Sequence, residues 1–175
     1  MNEIVVVSCT NRPNSNTLKV SRIYQNILIS KKISSKLLDF RELPENLAFG
    51  ETFGKKSEKY TKLIADYVTA HNKFIFIVPE YNGSFPGILK SFLDSMHPRE
   101  WADKDVCLVG LSDGRAGNLR GMEHLTGIFQ YLKMHVYHNK LPISIVNQLL
   151  DEEGNFNSES QYKASEAQIE GFAAF

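Results

Sequence analysis

The sequence predicts an α/β protein with one parallel, doubly wound sheet and helices on both faces. Short apolar runs alternate along the chain with segments in which apolar residues recur at helical spacing. The run Phe74–Val78 is apolar at every residue, which is typical of a strand buried on both faces of a parallel sheet. Because 175 residues is an ordinary size for one domain, residues 1–175 are expected to form a single domain.

Five strands are expected, each followed by a helix. The strands are predicted at Ile4–Val7, Ser35–Phe40, Phe74–Val78, Asp105–Leu111 and Met134–Tyr137. The helical faces are predicted at Val20–Leu28, Tyr60–Val68, Ile88–Met96, Leu119–Leu132 and Tyr162–Phe172. Leu141–Val146 is expected to be extended but away from the sheet centre, because Pro142 has no N–H to donate. Right-handed crossovers give the strand order 2-1-3-4-5, a flavodoxin-like three-layer sandwich with its switch point between strands 1 and 3.

Composition excludes several classes of protein. The formal net charge is zero, with 20 basic and 20 acidic residues, whereas a nucleic-acid partner calls for a basic excess. The longest apolar run has five residues and a membrane span needs about 20, so no span is expected. The N-terminus enters a strand without a signal-peptide pattern, and only Cys9 and Cys107 are cysteines. A reducing, cytoplasmic location is therefore expected.

The loop after the first strand is rich in hydrogen-bonding side chains. Six hydroxyl or amide side chains and Arg12 occur within the eight positions Thr10–Thr17. Helix capping, for which Ser15 is well suited, is one interpretation, but it accounts for only one or two of them. The remainder favour an anion cradle around a phosphate. No glycine occurs before Gly50, which disfavours a dinucleotide fingerprint or a P-loop and suits a mononucleotide such as FMN.

Two further loops are expected at the same edge of the sheet. Pro79–Phe85 follows the third strand, contains the turn pair Asn82-Gly83 and precedes a helix that Pro86 can start. By itself this loop is equally well explained as a plain βα connection. Ser112–Asn118 follows the fourth strand, and its glycines are expected to let the backbone approach a ligand closely. Ligands of open α/β sheets bind at this edge.

Other polar segments receive structural interpretations. Asp39 is expected to be a surface residue at the end of a strand, and Arg41–Lys56 to be either a functional flap or a plain surface loop. His124 is expected to be solvated within a helix. His135 and His138 are interpreted as ordinary surface or partner-contact residues. No metal site is predicted.

Four segments resemble the flavodoxin-like NAD(P)H-dependent FMN reductases, a family that includes quinone, azo-dye and chromate reductases. The resemblance spans nearly the whole chain. The most specific segment reads P-E-Y-N-G-S-F-P-G-I-L-K, close to the family motif P-E-Y-N-G-S-x-P-G-x-L-K. The matching segments are Thr10–Ser15, Asp39–Pro44, Pro79–Lys90 with Asp94, and Leu150–Asn157. The chain has Cys9-Thr10 where the family often has Gly-Ser, and Ser95 where a tryptophan is common; the second difference bears on the dimer surface.

The resemblance implies an FMN site and its residues. The phosphate is expected at Thr10, Arg12, Ser15, Asn16 and Thr17. The isoalloxazine ring is expected along Pro79, Glu80, Tyr81, Asn82 and Gly83, and against Ser112, Gly114, Arg115 and Gly117. The family also implies a homodimer or homotetramer.

The leading hypothesis is an FMN-dependent NAD(P)H oxidoreductase. Hydride would pass from NADPH or NADH to FMN and on to a small acceptor: a quinone, an azo compound, a metal oxyanion or free flavin. No catalytic side chain is required, since the flavin carries the chemistry. The alternative is a flavodoxin-like electron carrier without efficient hydride acceptance. A flavin-free regulatory domain is a third hypothesis, disfavoured because Pro79 stands where a receiver domain needs an aspartate.

Overall fold

The computed structural model describes residues 3–175 and contains one parallel sheet between two helical layers. The strands are β1 Ile4–Ser8, β2 Ser35–Asp39, β3 Lys73–Pro79, β4 Asp105–Leu111, β5 His135–Val136 and β6 Leu141–Ile143. The helices are α1 Asn16–Ser30, α2 Glu58–Ile64, α3 Gly87–Asp94, α4 Leu119–Tyr131, α5 Val146–Leu149 and α6 Glu159–Ala174. The order β2-β1-β3-β4-β5, with every paired strand parallel, confirms the predicted flavodoxin-like topology.

The third strand lies at the centre of the sheet and is buried on both faces, as its apolar run predicts. Phe74, Phe76 and Val78 face a core shared with α2, α3 and α4. Ile75 and Ile77 face a second core shared with α1 and α6. Successive residues of a strand point to opposite faces, so an uninterrupted apolar run serves both layers.

The predicted fifth strand, Met134–Tyr137, is shortened to β5, and the predicted extended segment contributes a sixth strand, β6. β5 pairs with the first two residues of β4, and β6 pairs with Val109–Leu111 at the other end of β4. Between them, the carbonyl of Leu108 accepts a hydrogen bond of 3.1 Å from Nε2 of Gln168 on α6. The extended segment predicted at Leu141–Val146 thus joins the sheet at its edge, where Pro142 is tolerated. A short α5, which the sequence did not predict, follows directly.

The prediction for Asp39 is wrong. Asp39 is the last residue of β2 and is buried. One of its carboxylate oxygens accepts hydrogen bonds from Nε and Nη2 of Arg41, at 2.8 and 2.6 Å. The other oxygen accepts the backbone N–H of Arg41 at 3.0 Å. This pairing offsets the cost of burying the carboxylate and starts the 3₁₀ turn Phe40–Glu42. Within Arg41–Lys56, Leu47–Glu51 forms a wide helical turn, so the segment is partly ordered.

Candidate functional site

A cleft opens where the carboxyl ends of β1, β3 and β4 meet. Its walls come from four segments: the loop after β1, the end of β3, the end of β4 and the start of α5. The lining residues are Arg12, Asn14, Ser15, Asn16, Thr17, Pro79, Glu80, Tyr81, Leu111, Ser112, Asp113, Val146 and Asn147. Eight of the fourteen predicted site residues lie among them, and the cleft lies at the predicted switch point.

The loop after β1 presents the amino end of α1 to the cleft. Ser15 is the N-cap, and its Oγ accepts the N–H of Leu18 at 3.2 Å. The capping interpretation is therefore right for Ser15, although its side chain also borders the cleft. The first turn of α1 carries no acidic residue, so the positive end of its dipole is available to an anion. Arg12 also lines the cleft, and among residues 3–175 it forms no ion pair.

Thr10 contacts residues that line the cleft but is not itself a lining residue. It is almost fully buried, and its Oγ1 lies 2.8 Å from the hydroxyl of Tyr81 and 3.2 Å from the backbone nitrogen of Arg12. Both partners border the cleft, whereas Thr10 is not one of its lining residues. The hydroxyl of Thr10 thus joins the loop after β1 to the loop after β3.

The loop after β3 is a tight two-residue turn. Tyr81 and Ser84 exchange backbone hydrogen bonds of 2.9 and 3.1 Å. Asn82 and Gly83 between them have φ of 51° and 79°, the combination that a type I′ turn requires. Tyr81 lines the cleft, while Asn82 and Gly83 form the tip of the turn beyond the lining residues.

Helix α4 supports this turn from the outside. His124 Nδ1 lies 2.9 Å from Ser84 Oγ, and a Cβ added to Gly83 would lie 2.8 Å from an Arg120 guanidinium nitrogen. His124 is exposed, as predicted, but it also contacts the turn, a contact with no sequence signal. The turn is therefore held from both sides, by Thr10 through Tyr81 and by α4.

The loop after β4 is organised by Ser112. Its Oγ donates to the carbonyl of Gly114 at 2.8 Å and accepts the N–H of Gly117 at 2.9 Å. Gly117 has φ of 54°, and a Cβ there would lie 2.6 Å from the Cβ of Pro142. Internal packing therefore explains this glycine without a ligand. Gly114 has open space around it, and neither Gly114 nor Arg115 is among the lining residues.

Sequence reasoning missed five lining residues: Asn14, Leu111, Asp113, Val146 and Asn147. Asn14 lies within the predicted phosphate loop Thr10–Thr17. Asp113 lies inside a predicted loop and could have been included on its position alone. Val146 and Asn147 belong to α5, which has four residues, too few for a helical periodicity to be recognised in the sequence. Asn16 Nδ2 donates to Asn147 Oδ1 at 2.7 Å, which connects α5 to α1 across 131 positions of sequence.

The lining residues have the chemical character needed to bind both the phosphate and the ring of FMN. The loop after β1 offers hydroxyl and amide groups, Arg12 and the amino end of α1, which is the donor set that a phosphate takes. Pro79, Tyr81 and Leu111 provide apolar and aromatic surface beside the ends of β3 and β4, which suits a flat ring. The residues present therefore fit the cofactor that the sequence implies.

The cysteines do not contribute a nucleophile to this cleft. Cys9 is fully buried directly after β1, and its Sγ donates to the carbonyl of Val7 at 3.3 Å. Burial raises the pKa of the Cys9 thiol well above its ordinary value, and that of the Cys107 thiol also. Both thiols therefore stay protonated at neutral pH.

Within residues 3–175, no three His, Cys, Asp or Glu side chains come together as a metal site. None of the helices in this range combines the length and apolar character needed to traverse a bilayer.

Comparison with known proteins identifies reductases among the relatives of this chain. Residues 2–148 match the family model described as NADPH-dependent FMN reductase. An NAD(P)H-dependent FMN reductase of Schizosaccharomyces pombe is 31% identical over 81 residues, which cover 46% of this chain and 38% of the relative. A 2-hydroxy-1,4-benzoquinone reductase of a Burkholderia species is 27% identical over 132 residues, covering 73% of this chain and 70% of the relative.

The solved structures show the same fold. The flavoenzyme NAD(P)H:(acceptor) oxidoreductase FerB of Paracoccus denitrificans superposes with a TM-score of 0.83 at 19% identity. The superposition covers 99% of this chain and 96% of that protein.

Proposed function

Because the chain belongs to the NADPH-dependent FMN reductase family, we propose that it is an FMN-dependent NAD(P)H oxidoreductase with a small-molecule acceptor. One observation carries the proposal: the family match coincides with a cleft whose lining divides into a phosphate-binding end and a ring-binding end. Bound FMN supplies the redox chemistry, taking hydride from a nicotinamide and passing electrons to the acceptor. The protein binds, orients and tunes it.

The phosphate is assigned to Arg12, Ser15, Asn16 and Thr17, with Thr10 as a support. Hydrogen bonds to charged groups contribute about 1.5–3 kcal/mol each. Micromolar binding corresponds to about −8 kcal/mol, so three or four such bonds together with contacts to the ring are sufficient. Two observations support this assignment. Arg12 forms no ion pair among residues 3–175, and the first turn of α1 carries no acidic residue.

The ring is assigned to two loops. The loop after β3 contributes Pro79, Glu80, Tyr81, Asn82 and Gly83. The loop after β4 contributes Ser112, Gly114, Arg115 and Gly117. Backbone N–H groups of Asn82 and Gly83 are proposed to stabilise negative charge on the reduced ring, because the N–H of Tyr81 already donates to the carbonyl of Ser84. The turn's rigidity supports this, since preorganised donors need no rearrangement during the reaction.

The acceptor class is proposed to be quinones, azo compounds, metal oxyanions or free flavin. The Burkholderia relative, named as a benzoquinone reductase, favours testing quinones first. A reducing compartment such as the cytoplasm is proposed because both cysteines are free thiols.

A homodimer or homotetramer is proposed as the assembly. Phe49 and Phe53 are fully or almost fully exposed, and Tyr131 is 82% exposed. Exposed aromatic side chains of this size favour a protein interface. Light scattering coupled to gel filtration tests this: a single species of monomer mass at micromolar concentration would exclude it.

The function is tested by anaerobic titration of the FMN-loaded protein with NADPH and, separately, NADH. Prompt bleaching of the flavin absorbance, followed by reoxidation with a benzoquinone, is expected. Flavin that binds but does not bleach would instead assign the protein as an electron carrier. Protein that stays colourless after incubation with FMN and desalting would exclude both. The nicotinamide that bleaches faster identifies the preferred donor.

A further inference from the structure

The start of α5 is held in an unfavourable backbone conformation beside the cleft. Ile145 has φ of 51°. The left-handed region is costly for a β-branched residue, and such conformations persist only where the surrounding structure enforces them.

The loop after β4 enforces this conformation. The N–H groups of Ile145 and Val146 donate to the carbonyls of Gly114 and Ser112, both at 3.0 Å. Ser144 Oγ donates to the carbonyl of Arg115 at 2.7 Å. Three hydrogen bonds to one loop therefore fix the chain immediately before Asn147.

The result of this conformation is that Asn147 faces the amino end of α1. Asn147 Oδ1 accepts the 2.7 Å hydrogen bond from Nδ2 of Asn16, the first residue of α1, and both side chains line the cleft. Ser15, the N-cap of α1, stands next to Asn16. The Asn16–Asn147 pair therefore joins α5 to α1 beside the residues assigned to the phosphate.

We propose that the Asn16–Asn147 hydrogen bond is a latch that closes the phosphate end of the cleft and selects FMN over FAD. This inference rests on the FMN site proposed above. FMN ends in its phosphate, so it fits a cleft that stops there. The phosphate of FAD continues through a pyrophosphate into an adenosine, which needs an exit beside α1. An obstruction that excludes FAD produces selectivity without removing any contact between the protein and FMN.

The test is a set of fluorescence titrations of the full-length, flavin-free protein with FMN, FAD and riboflavin. Asn147→Ala removes the acceptor and opens the exit. The ratio of the FAD and FMN dissociation constants is expected to fall at least fivefold, mainly through tighter FAD binding. Asn16→Ala in the Asn147→Ala background is expected to lower the ratio by less than twofold more, because both changes remove the same hydrogen bond.

Two controls make the outcome specific. Gln148→Ala changes an exposed amide on the same short helix that is not a lining residue, and it is expected to leave the ratio unchanged. Riboflavin has no phosphate, so its affinity is expected to be equal in wild type and Asn147→Ala. Circular dichroism checks that the variants are folded, which is expected because Asn147 is exposed.

An FAD-to-FMN ratio that does not change in Asn147→Ala overturns the latch. A parallel loss of riboflavin and FMN affinity also overturns it, since Asn147 would then act at the ring. A wild-type protein that binds none of the three flavins contradicts the proposed function itself, and is therefore distinguishable from failure of the latch.

Discussion

Charged side chains at the amino ends of the strands (the amino edge of the sheet) are paired within the protein, whereas those that border the cleft at the carboxyl ends of the strands (the carboxyl edge) are not. At the amino edge, His71 Nε2 lies 2.9 Å from a Glu3 carboxylate oxygen and His135 Nδ1 lies 3.2 Å from one of Asp105. Lys104 is buried, and its Nζ donates to two backbone carbonyls. At the carboxyl edge, Arg12, Glu80 and Asp113 border an open cleft, and the ion pairs among residues 3–175 include none of the three.

This difference indicates that the charges of the amino edge stabilise the fold, whereas the charges at the cleft are available for ligand binding. Charges that are paired within the protein lower the free energy of the fold and offer nothing to a ligand. Charges left facing a cleft contribute little to stability and keep their hydrogen-bonding capacity for what binds there. Changes to the paired charges of the amino edge should therefore alter unfolding without altering flavin affinity, and changes to the unpaired charges at the cleft should do the reverse.

The largest effect is expected at Lys104. Its Nζ donates at 3.0 Å to the carbonyl of Val68, within the helical segment Ala65–Thr69 that follows α2, and at 2.6 Å to the carbonyl of His71 just beyond it. Lys104→Met keeps the apolar stem but removes both hydrogen bonds, and should lower the free energy of unfolding by about 2–3 kcal/mol. Urea unfolding measures this, with FMN affinity as the control. A large loss of FMN affinity at unchanged stability would contradict the separation of the two edges.

Arg12→Ala is the reciprocal change at the carboxyl edge. Loss of a charge-assisted contact to the phosphate should weaken FMN binding tenfold or more, with little change in the unfolding of the flavin-free protein. Fluorescence titration measures the affinity. Arg22→Ala, which removes an exposed arginine of α1 that does not line the cleft, is the matched control. Equal FMN affinity in Arg12→Ala and wild type would remove Arg12 from the phosphate site.

A smaller effect is expected where the two carboxyl-edge loops are joined. Thr10→Val and Tyr81→Phe each remove the 2.8 Å hydrogen bond between the two hydroxyls. Each should cost about 1 kcal/mol in the free energy of unfolding. The double variant should cost much less than the sum of the two, because one interaction is lost in both. Additive costs in urea unfolding would show that the hydroxyls act independently.

The smallest effect is expected from Glu3 at the amino edge. Hydrogen bonds from Ser34 and then His71 hold the pKa of Glu3 below its ordinary value. The carboxylate therefore stabilises the fold above its unfolded-state pKa, and this contribution is lost as the pH falls through the lowered pKa of the folded state. Because Glu3 is partly exposed, Glu3→Gln should cost only about 0.5 kcal/mol at pH 7.

Unfolding measured at pH 7 and below pH 4 tests this prediction. The difference in stability between wild type and Glu3→Gln should shrink at the lower pH. A difference that stays constant between the two pH values would show that the carboxylate charge does not contribute.

The sequence by itself determined the layers of the fold, the strand order and the family. The run Phe74–Val78 identified the central strand because apolar periodicity is a local property of the chain. The hydroxyl-rich Thr10–Thr17 loop and the absence of early glycines pointed to a mononucleotide phosphate for the same reason. The cleft does form there, and Ser15 is the N-cap that its residue type predicts.

Only the tertiary structure decided the features that depend on residues far apart in the chain. Burial of Asp39 depends on packing around the end of β2, and the gap between β5 and β6 opposite Leu108 is filled by Gln168 of α6. Asn147 contacts α1 from a segment that hydrogen bonds to the loop after β4 hold in place, with Ile145 in a left-handed conformation. None of these leaves a periodic or compositional trace, because each is set by a contact between distant segments.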